Sequence, residues 1–144
     1  MRITIHDSYV RLDAEKWDGL VGSASPFLEH AFLAALERTG CAVPETGWAP
    51  TPVILEDDEG QWLAAAPAWV KGHSMGEFVY DHSWADFSER NGLEYYPKLI
   101  VGVPFTPVGG SRILSRPGVD TTPLLEALLA LGQRMSGLHV LFNT

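Results

Sequence analysis

The chain has 144 residues, of which 46% are hydrophobic, and its five Trp, six Phe and four Tyr supply large apolar side chains. This composition excludes the disordered and fibrous classes, and the length fits one domain. The formal net charge of −8 disfavours a nucleic-acid partner, because binding to phosphates depends on basic side chains. There is no apolar signal segment or membrane-length run, and Cys41 is the only cysteine. We therefore expect a domain of the reducing cytoplasm without a membrane span.

The first third of the chain predicts one strand and two helices. Alternating apolar and polar residues predict a strand over 1–6. Asp13 is a suitable N-cap for a short helix over 13–21. Ser25-Pro26 begins a second helix, and apolar residues at helical spacing continue it to Gly40.

The middle of the chain predicts antiparallel strands in sequence order. Residues 53–55 and 62–71 form two strands around an acidic turn over 56–60, and Pro67 implies an edge position or a bulge in the second. Further elements are a strand over 78–80, a helical turn over 85–91 and a strand over 98–103.

The last elements predict a strand-helix-strand crossover. Thr122-Pro123 begins a helix with a leucine face that we expect to be core, and Gly137 ends it. The nearly continuous apolar run over 138–142 predicts a strand covered on both faces. Such a strand is an unusual last element, so we expect the chain to be truncated. The predicted class is α/β (α+β), with a mixed, mostly antiparallel sheet flanked by helices.

Three blocks carry a family resemblance. They are PFLEHAFLAALERTG over 26–40, GHSMGEFVYDHSWADF over 72–87 and GLEYYPKLIVGVPFTPVGGSRIL over 92–114. In this order they resemble the FemAB-like branch of the GNAT-fold N-acyltransferases, a bacterial family described by the terms peptidoglycan biosynthesis or recognition. The resemblance implies two GNAT-like lobes with acceptor and acyl donor meeting between them. Residues 1–144 would be the N-terminal lobe, and the second lobe would be absent.

The segment from 73 to 84 concentrates titratable and aromatic side chains. On an extended segment Glu77 and Asp81 share one face, so that the two carboxylates come together and one pKa rises toward the range of a general base. The alternative is a solvated face, with His82 capping the next turn. The candidate catalytic residues are Glu77, Asp81 and His82, and the candidate substrate-binding residues here are Tyr80 and Trp84.

Four further residues are candidates for substrate binding. Tyr95, Tyr96 and Lys98 offer phenols and an ammonium to a carboxylate or phosphate, although simple aromatic packing in a loop is an equal alternative. Arg112 follows two glycines and is suited to an anion, but a plain turn is the alternative for that loop.

The sequence predicts no metal site. His73 and His82 are nine residues apart, no cysteine lies near them, and no HExxH spacing occurs.

The favoured function is the acceptor side of N-acyl transfer to an amine or amino acid, with an acyl-coenzyme A as co-substrate of the full-length enzyme. We expect this half by itself not to catalyse that transfer, and to need a second lobe or to self-associate through an exposed sheet edge. The alternatives are a non-catalytic module that binds cell-wall-type peptides or sugars, and a degenerate fragment with a structural role.

Overall fold

The computed structural model describes residues 1–77 and 81–144, and these residues form a mixed α/β fold, which confirms the predicted class. The helices are α1 (Ala14–Val21), α2 (His30–Arg38), α3 (His82–Arg90) and α4 (Thr122–Gln133). The strands are β1 (Arg2–Ile5), β2 (Trp48–Pro50), β3 (Val53–Glu56), β4 (Trp62–Ala66), β5 (Ala68–Lys71), β6 (Lys98–Val101), β7 (Leu114–Ser115) and β8 (Leu138–Val140). The strand predicted over 78–80, and with it Tyr80, lies outside the described residues.

The described strands form two sheets instead of the single sheet expected from the sequence. Their orders are β1-β3-β4-β7 and β2-β5-β6-β8, and every pairing is antiparallel except that of β6 with β8. Pro67 lies between β4 and β5, where the chain passes from the first sheet to the second. A proline has no N–H for a strand ladder, so the continuous strand predicted over 62–71 ends here.

Helices cover both faces of the sheets. On β3, Ile54 packs in a core that includes Trp17 of α1 and Leu33 of α2. Its neighbours Val53 and Leu55 pack in a second core that includes residues of α4. Alternate residues of a strand point to opposite faces, so β3 is buried on both sides, between the α1/α2 layer and the α4 layer.

The first predicted helix is confirmed, and the second is divided. Asp13 Oδ1 accepts a hydrogen bond from Lys16 N at 3.1 Å, as an N-cap does. After Ser25, residues Pro26–Leu28 form a single 3₁₀ turn, and extended backbone at Glu29 separates it from α2. Glu29 provides no side-chain cap for α2; instead Asp18 Oδ1 of α1 accepts from His30 N at 2.8 Å.

The predicted crossover is present, because α4 connects the parallel pair β6 and β8. The helix ends at Gln133 instead of Gly137. A Cβ built on Gly132 would lie 2.9 Å from Leu138 Cβ, so the last turn of α4 can approach β8 closely only with glycine at this position.

Two expectations about the burial of this unit are wrong. The leucine face of α4 is only partly core, since Leu124 and Leu128 are buried whereas Leu125 and Leu129 are 43% and 56% exposed. The strand β8 is not covered on both faces, because Val140 is 45% exposed. This strand also lies at the end of the second sheet, so one of its edges has no neighbour in the described part of the chain.

Candidate functional site

Three basic side chains share one face of the second sheet. Lys71 of β5 lies directly opposite Lys98 of β6 in the antiparallel register. His139 of β8 lies opposite Ile100, two residues after Lys98, and therefore on the same face. Ile100 and Trp69 belong to the core of the α1/α2 layer. The three basic side chains therefore lie on the same face of the second sheet as these core residues.

Lys98 is the centre of a buried ionic cluster. Its side chain is fully buried, and its Nζ donates to Ser74 Oγ at 3.0 Å, Glu77 Oε1 at 2.9 Å and Asp81 Oδ2 at 2.8 Å. A lysine ammonium has three N–H donors, so these three bonds use all of them. The ammonium is therefore fixed in position and cannot donate to a ligand without losing one of these bonds.

The two carboxylates differ in electrostatic environment. Burial raises the pKa of Glu77, whose side chain is fully buried. Burial alone would also raise the pKa of Asp81, but hydrogen bonds from Lys98 and Tyr95 lower it to about 2. Glu77 Oε2 and Asp81 Oδ1 have no hydrogen-bond partner among the described residues. Each carboxylate thus has one buried oxygen without a partner among the described residues, and the pKa of Asp81 is the lower of the two.

Two tyrosines surround the ammonium of this cluster. Tyr95 OH donates to Asp81 Oδ2 at 2.5 Å, and Tyr96 OH is hydrogen-bonded to Ser74 Oγ. Their ring centroids lie 5.0 and 5.3 Å from Lys98 Nζ, within the range of a cation–π contact. Burial, with Asp81 adding to it, raises the pKa of Tyr95. Tyr95 is therefore a hydrogen-bond donor that orients Asp81.

Ser74 and Lys98 are in contact, as a serine nucleophile and a lysine general base would be. Such a base must be able to accept the hydroxyl proton. Here the Lys98 ammonium donates to Ser74 Oγ and is at the same time neutralised by Glu77 and Asp81. The pair therefore serves to fix the cluster and does not generate a nucleophile.

Lys71 is a second buried cation beside this cluster. Its Nζ lies 3.9 Å from the ring centroid of Trp48 and donates to Met75 O at 2.7 Å. Burial lowers its pKa to about 8 although Glu77 acts in the opposite direction. Lys71 thus holds the 72–77 segment, which carries Glu77, against the sheet.

An open cleft of about 510 Å³ lies directly beside the cluster. Its lining residues are Asp81, Trp84, Ser88, Tyr95, His139, Val140 and Leu141. The Trp84 side chain is largely solvent-exposed, at 68%. The His139 ring lies edge-on to that of Tyr95, at 5.7 Å between centroids. Burial, followed by the charge of Lys98, lowers the pKa of His139. The cleft therefore combines a carboxylate, aromatic surfaces and a neutral imidazole.

The structure brings most of the residues predicted from sequence to this region. Glu77, Asp81 and Lys98 are in direct contact, Tyr95 and Tyr96 adjoin them, and Trp84 lines the cleft. Tyr95 and Tyr96 also line a second cleft of about 400 Å³ with Ala85, Glu89, Gly92, Leu93 and Glu94. The expectation that Glu77 and Asp81 point together agrees with this geometry.

His82 and Arg112 are placed differently from the rest. His82 is exposed at the first position of α3 and does not appear among the residues that line the cleft. Arg112 is only 2% exposed, and its Nε and Nη2 donate to Leu141 O at 2.8 Å and Val108 O at 2.6 Å. The Arg112 guanidinium thus supports the chain segment that contributes Leu141 to the cleft wall.

Sequence reasoning missed Ser74, Lys71 and His139. The run over 138–142 is apolar on average, which hid His139, although strict alternation with Leu138 and Val140 places it on the opposite face. The signal that could have identified Lys71 is its register with Lys98, which depends on pairing between strands 27 residues apart.

Two other kinds of feature do not occur in the described part of the chain. Residues 1–77 and 81–144 contain no group of three or more His, Cys, Asp or Glu side chains placed to hold a metal ion. None of the helices in these residues is both long and apolar enough to cross a membrane. The single thiol, that of Cys41, is exposed.

The mixed α/β fold carries a buried ionic cluster beside an open cleft, and clefts of this kind are where proteins commonly bind small ligands. The FemAB-like family model, described as peptidoglycan biosynthesis/recognition, matches residues 8–144. The chain belongs to the FemAB-like family. No curated protein and no solved structure matched the chain in the corresponding comparisons.

Proposed function

We propose that this chain forms the acceptor side of an N-acyltransferase and binds the amine of an amino acid or a cell-wall-type peptide. The observation that carries the proposal is the position of Asp81. It is an ionised carboxylate, it lines the cleft, and its Oδ1 has no partner among the described residues. The family description, peptidoglycan biosynthesis/recognition, supports a ligand of this class.

The cleft has the chemistry that an alkylammonium group requires. A cation is stabilised by a carboxylate and by aromatic faces, and Trp84 and Tyr95 offer such faces next to Asp81. Lys98 and Tyr95 both hold Asp81 Oδ2, whereas Oδ1 is buried without a partner among the described residues and is the acceptor that a ligand would have to reach. The acceptor oxygen is therefore oriented before the ligand arrives, which reduces the entropy lost on binding.

The acyl donor in this proposal is a coenzyme A thioester held by a second lobe or a partner. The net charge of −8 makes this half a poor surface for aminoacyl-tRNA, which would otherwise be the alternative donor. A cytoplasmic location suits both the donor and the exposed, unpaired thiol of Cys41. Self-association through β8, at the end of its sheet, belongs to the same proposal.

The test compares two variants that remove the same charge. Asp81→Asn and Glu77→Gln each delete one carboxylate charge from the Lys98 cluster, but only Asp81 lines the cleft. Isothermal titration with L-alaninamide, which has an amine and no carboxylate, measures the affinity. Asp81→Asn should weaken binding by about tenfold to a hundredfold, the range for a hydrogen bond to a charged group. Glu77→Gln should stay within about threefold of the wild type, because the Glu77 side chain is fully buried and is not among the residues that line the cleft.

Circular dichroism and the melting temperature show whether both variants fold. Equal losses in the two folded variants would mean that the cluster charge, and not a contact with Asp81, controls binding. No binding to the wild type would refute the acceptor site itself.

The exposed Trp84 favours a second candidate, a recognition module without catalysis. An indole that is 68% exposed at the mouth of a cleft is suited to stack on a sugar ring or a peptide group. In that case Trp84→Ala would weaken binding of a muropeptide while the full-length protein produced no amide from acyl-coenzyme A and an amine. Detection of the amide by mass spectrometry would favour the transferase over the non-catalytic recognition module.

A further inference from the structure

We propose that His139 is the proton acceptor for the amine bound in the cleft, so that it acts as the general base of N-acylation. This inference rests on the proposed acceptor function and adds to it a catalytic residue that the sequence did not indicate. His139 and Asp81 line the same cleft, and Tyr95 is in contact with both of them.

Tyr95 links the two groups geometrically. Its hydroxyl donates to Asp81 Oδ2, and its ring meets the His139 imidazole at an interplanar angle of 77°. The β6–β8 register fixes the backbone of His139 opposite Ile100. An amine bound at Asp81 would therefore share a cleft with an imidazole whose backbone and ring are both positioned by the fold.

The charged and titratable groups that face His139 favour its neutral form. Burial lowers the pKa of its imidazole, the nearby Lys98 ammonium lowers it further, and Asp81 opposes them. Tyr95, the third group, is an uncharged phenol because its pKa is raised. An imidazole that is neutral at pH 7 has the free nitrogen lone pair that a general base requires.

The other acidic and basic candidates are less suitable. Glu77 is fully buried behind Lys98, so its carboxylate has no access to an amine in the cleft. Asp81 is held by Lys98 and Tyr95, which makes it a weak base and a good ligand for a cation. His82 is exposed at the start of α3 and is not among the residues that line the cleft.

The chemical step balances without a further reactant apart from the thioester. The bound ammonium transfers one proton to the His139 ring nitrogen, and the freed lone pair attacks the thioester carbonyl carbon. A C–N bond forms, and the C–S bond breaks. His139 returns its proton to the departing thiolate, and the remaining extra proton on nitrogen passes to solvent. The products are an amide, a thiol and one proton.

The experiment uses the full-length protein, because this half by itself is not expected to catalyse the transfer, with L-alaninamide as the amine and acetyl-coenzyme A as the thioester. Mass spectrometry measures acetylated L-alaninamide, and titration measures the affinity for the amine. His139→Gln should lower the rate of amide formation by about a hundredfold or more, as expected for loss of a general base. Its affinity for the amine should remain close to that of the wild type. His6→Gln, directly after β1 of the first sheet, is the matched control and should change neither quantity.

Two further readouts separate catalysis from a structural role. The wild-type rate should fall as the pH drops through the lowered pKa of His139, and His139→Gln should lack that inflection. Added imidazole should restore amide formation in His139→Ala. A full-length wild-type protein that binds the amine but forms no more amide than its His139→Gln variant overturns this inference and leaves the acceptor site intact. Failure of the wild type to bind the amine overturns both.

Discussion

Replacing Lys98 by methionine should destabilise the domain strongly at neutral pH. Methionine fills a similar volume, but it removes the ammonium that neutralises Glu77 and Asp81 and donates to both. Both carboxylate side chains are almost completely buried, at 0% and 9% exposure. Breaking a buried ion pair by removing one partner costs about 3 to 5 kcal/mol, and here one lysine serves two carboxylates. We therefore expect a loss of about 5 kcal/mol, the upper end of that range.

The triple variant Lys98→Met, Glu77→Gln and Asp81→Asn is the matched control. It has no buried charge at these three positions, so the desolvation penalty of the single variant disappears. Replacement of a complete buried ionic group by neutral residues of similar size is often close to neutral. The triple variant should therefore recover most of the lost stability, to within about 2 kcal/mol of the wild type. The single variant should also recover partly as the pH falls, because its carboxylates become protonated.

Urea denaturation followed by tryptophan fluorescence measures these differences, since Trp17, Trp48 and Trp69 are buried reporters. A loss below about 1 kcal/mol at pH 7 would be the value of a solvent-exposed ion pair and would refute a buried cluster. Equal stability of the single and triple variants would refute the uncompensated charge as the cause. Either result would also weaken the claim that Lys98 positions Asp81.

Four further variants test other parts of the structure. Lys71→Met should raise the free energy of unfolding at pH 7 by about 2 to 3 kcal/mol, because the pKa of Lys71 in the folded state is lowered to about 8 and the charged lysine therefore destabilises the wild-type fold below that pH. The wild type should gain stability as the pH rises from 8 to 10.5, and the variant should not. As the pH falls from 3.8 toward 2, the free energy of unfolding of the wild type should drop by about 2 kcal/mol, and Asp81→Asn should not show this drop. The same dependence of stability on acidic pH in both proteins would contradict this. Arg112→Lys should lower stability by about 2 kcal/mol in thermal denaturation, because a lysine does not reach both carbonyl oxygens; unchanged stability with weaker binding of a carboxylate ligand would support the predicted anion-binding role instead. Val140→Lys should reduce self-association in size-exclusion chromatography with light scattering, and an unchanged mass distribution would exclude the β8 edge as the contact.

The elements with strong local signals could be predicted from sequence. Asp13 capped α1 as expected, and Thr122-Pro123 marked the start of α4. The strand β2 (Trp48–Pro50) was missed because prolines surround it. Proline is tolerated there, since β2 pairs only with β5 and lies at the end of its sheet in the described part of the chain. Whether a strand is central or at an edge depends on tertiary pairing, which local sequence does not encode.

The candidate site was predictable as a region and not as a network. The concentration of acids and aromatics around Asp81, and the Tyr95-Tyr96 pair, pointed to the correct segments. The interactions within the site depend on strand register, which brings Lys98 beside Lys71 and places His139 on the same face. Arg112, a residue type suited to anions, donates in this structure to two backbone carbonyls, and its predicted anion-binding role stays a prediction. Composition alone did not distinguish these two uses of a buried cation.

The buried lysines are better explained by a functional site than by core packing, because a buried charge lowers the stability of a hydrophobic core. Lys71, with its lowered pKa, lowers the stability of the folded state at neutral pH, and an apolar residue over Trp48 would avoid that penalty. Lys98 uses all three of its donors within the cluster, so it contributes rigidity and no direct contact. What this arrangement provides is a carboxylate at Asp81 that stays ionised and fixed in a partly apolar cleft. Such a group binds a cation well only if its own orientation needs no adjustment when the ligand arrives. The loss of stability at Lys71 and the preorganisation of Asp81 by Lys98 therefore come from two neighbouring cations that are paired across β5 and β6.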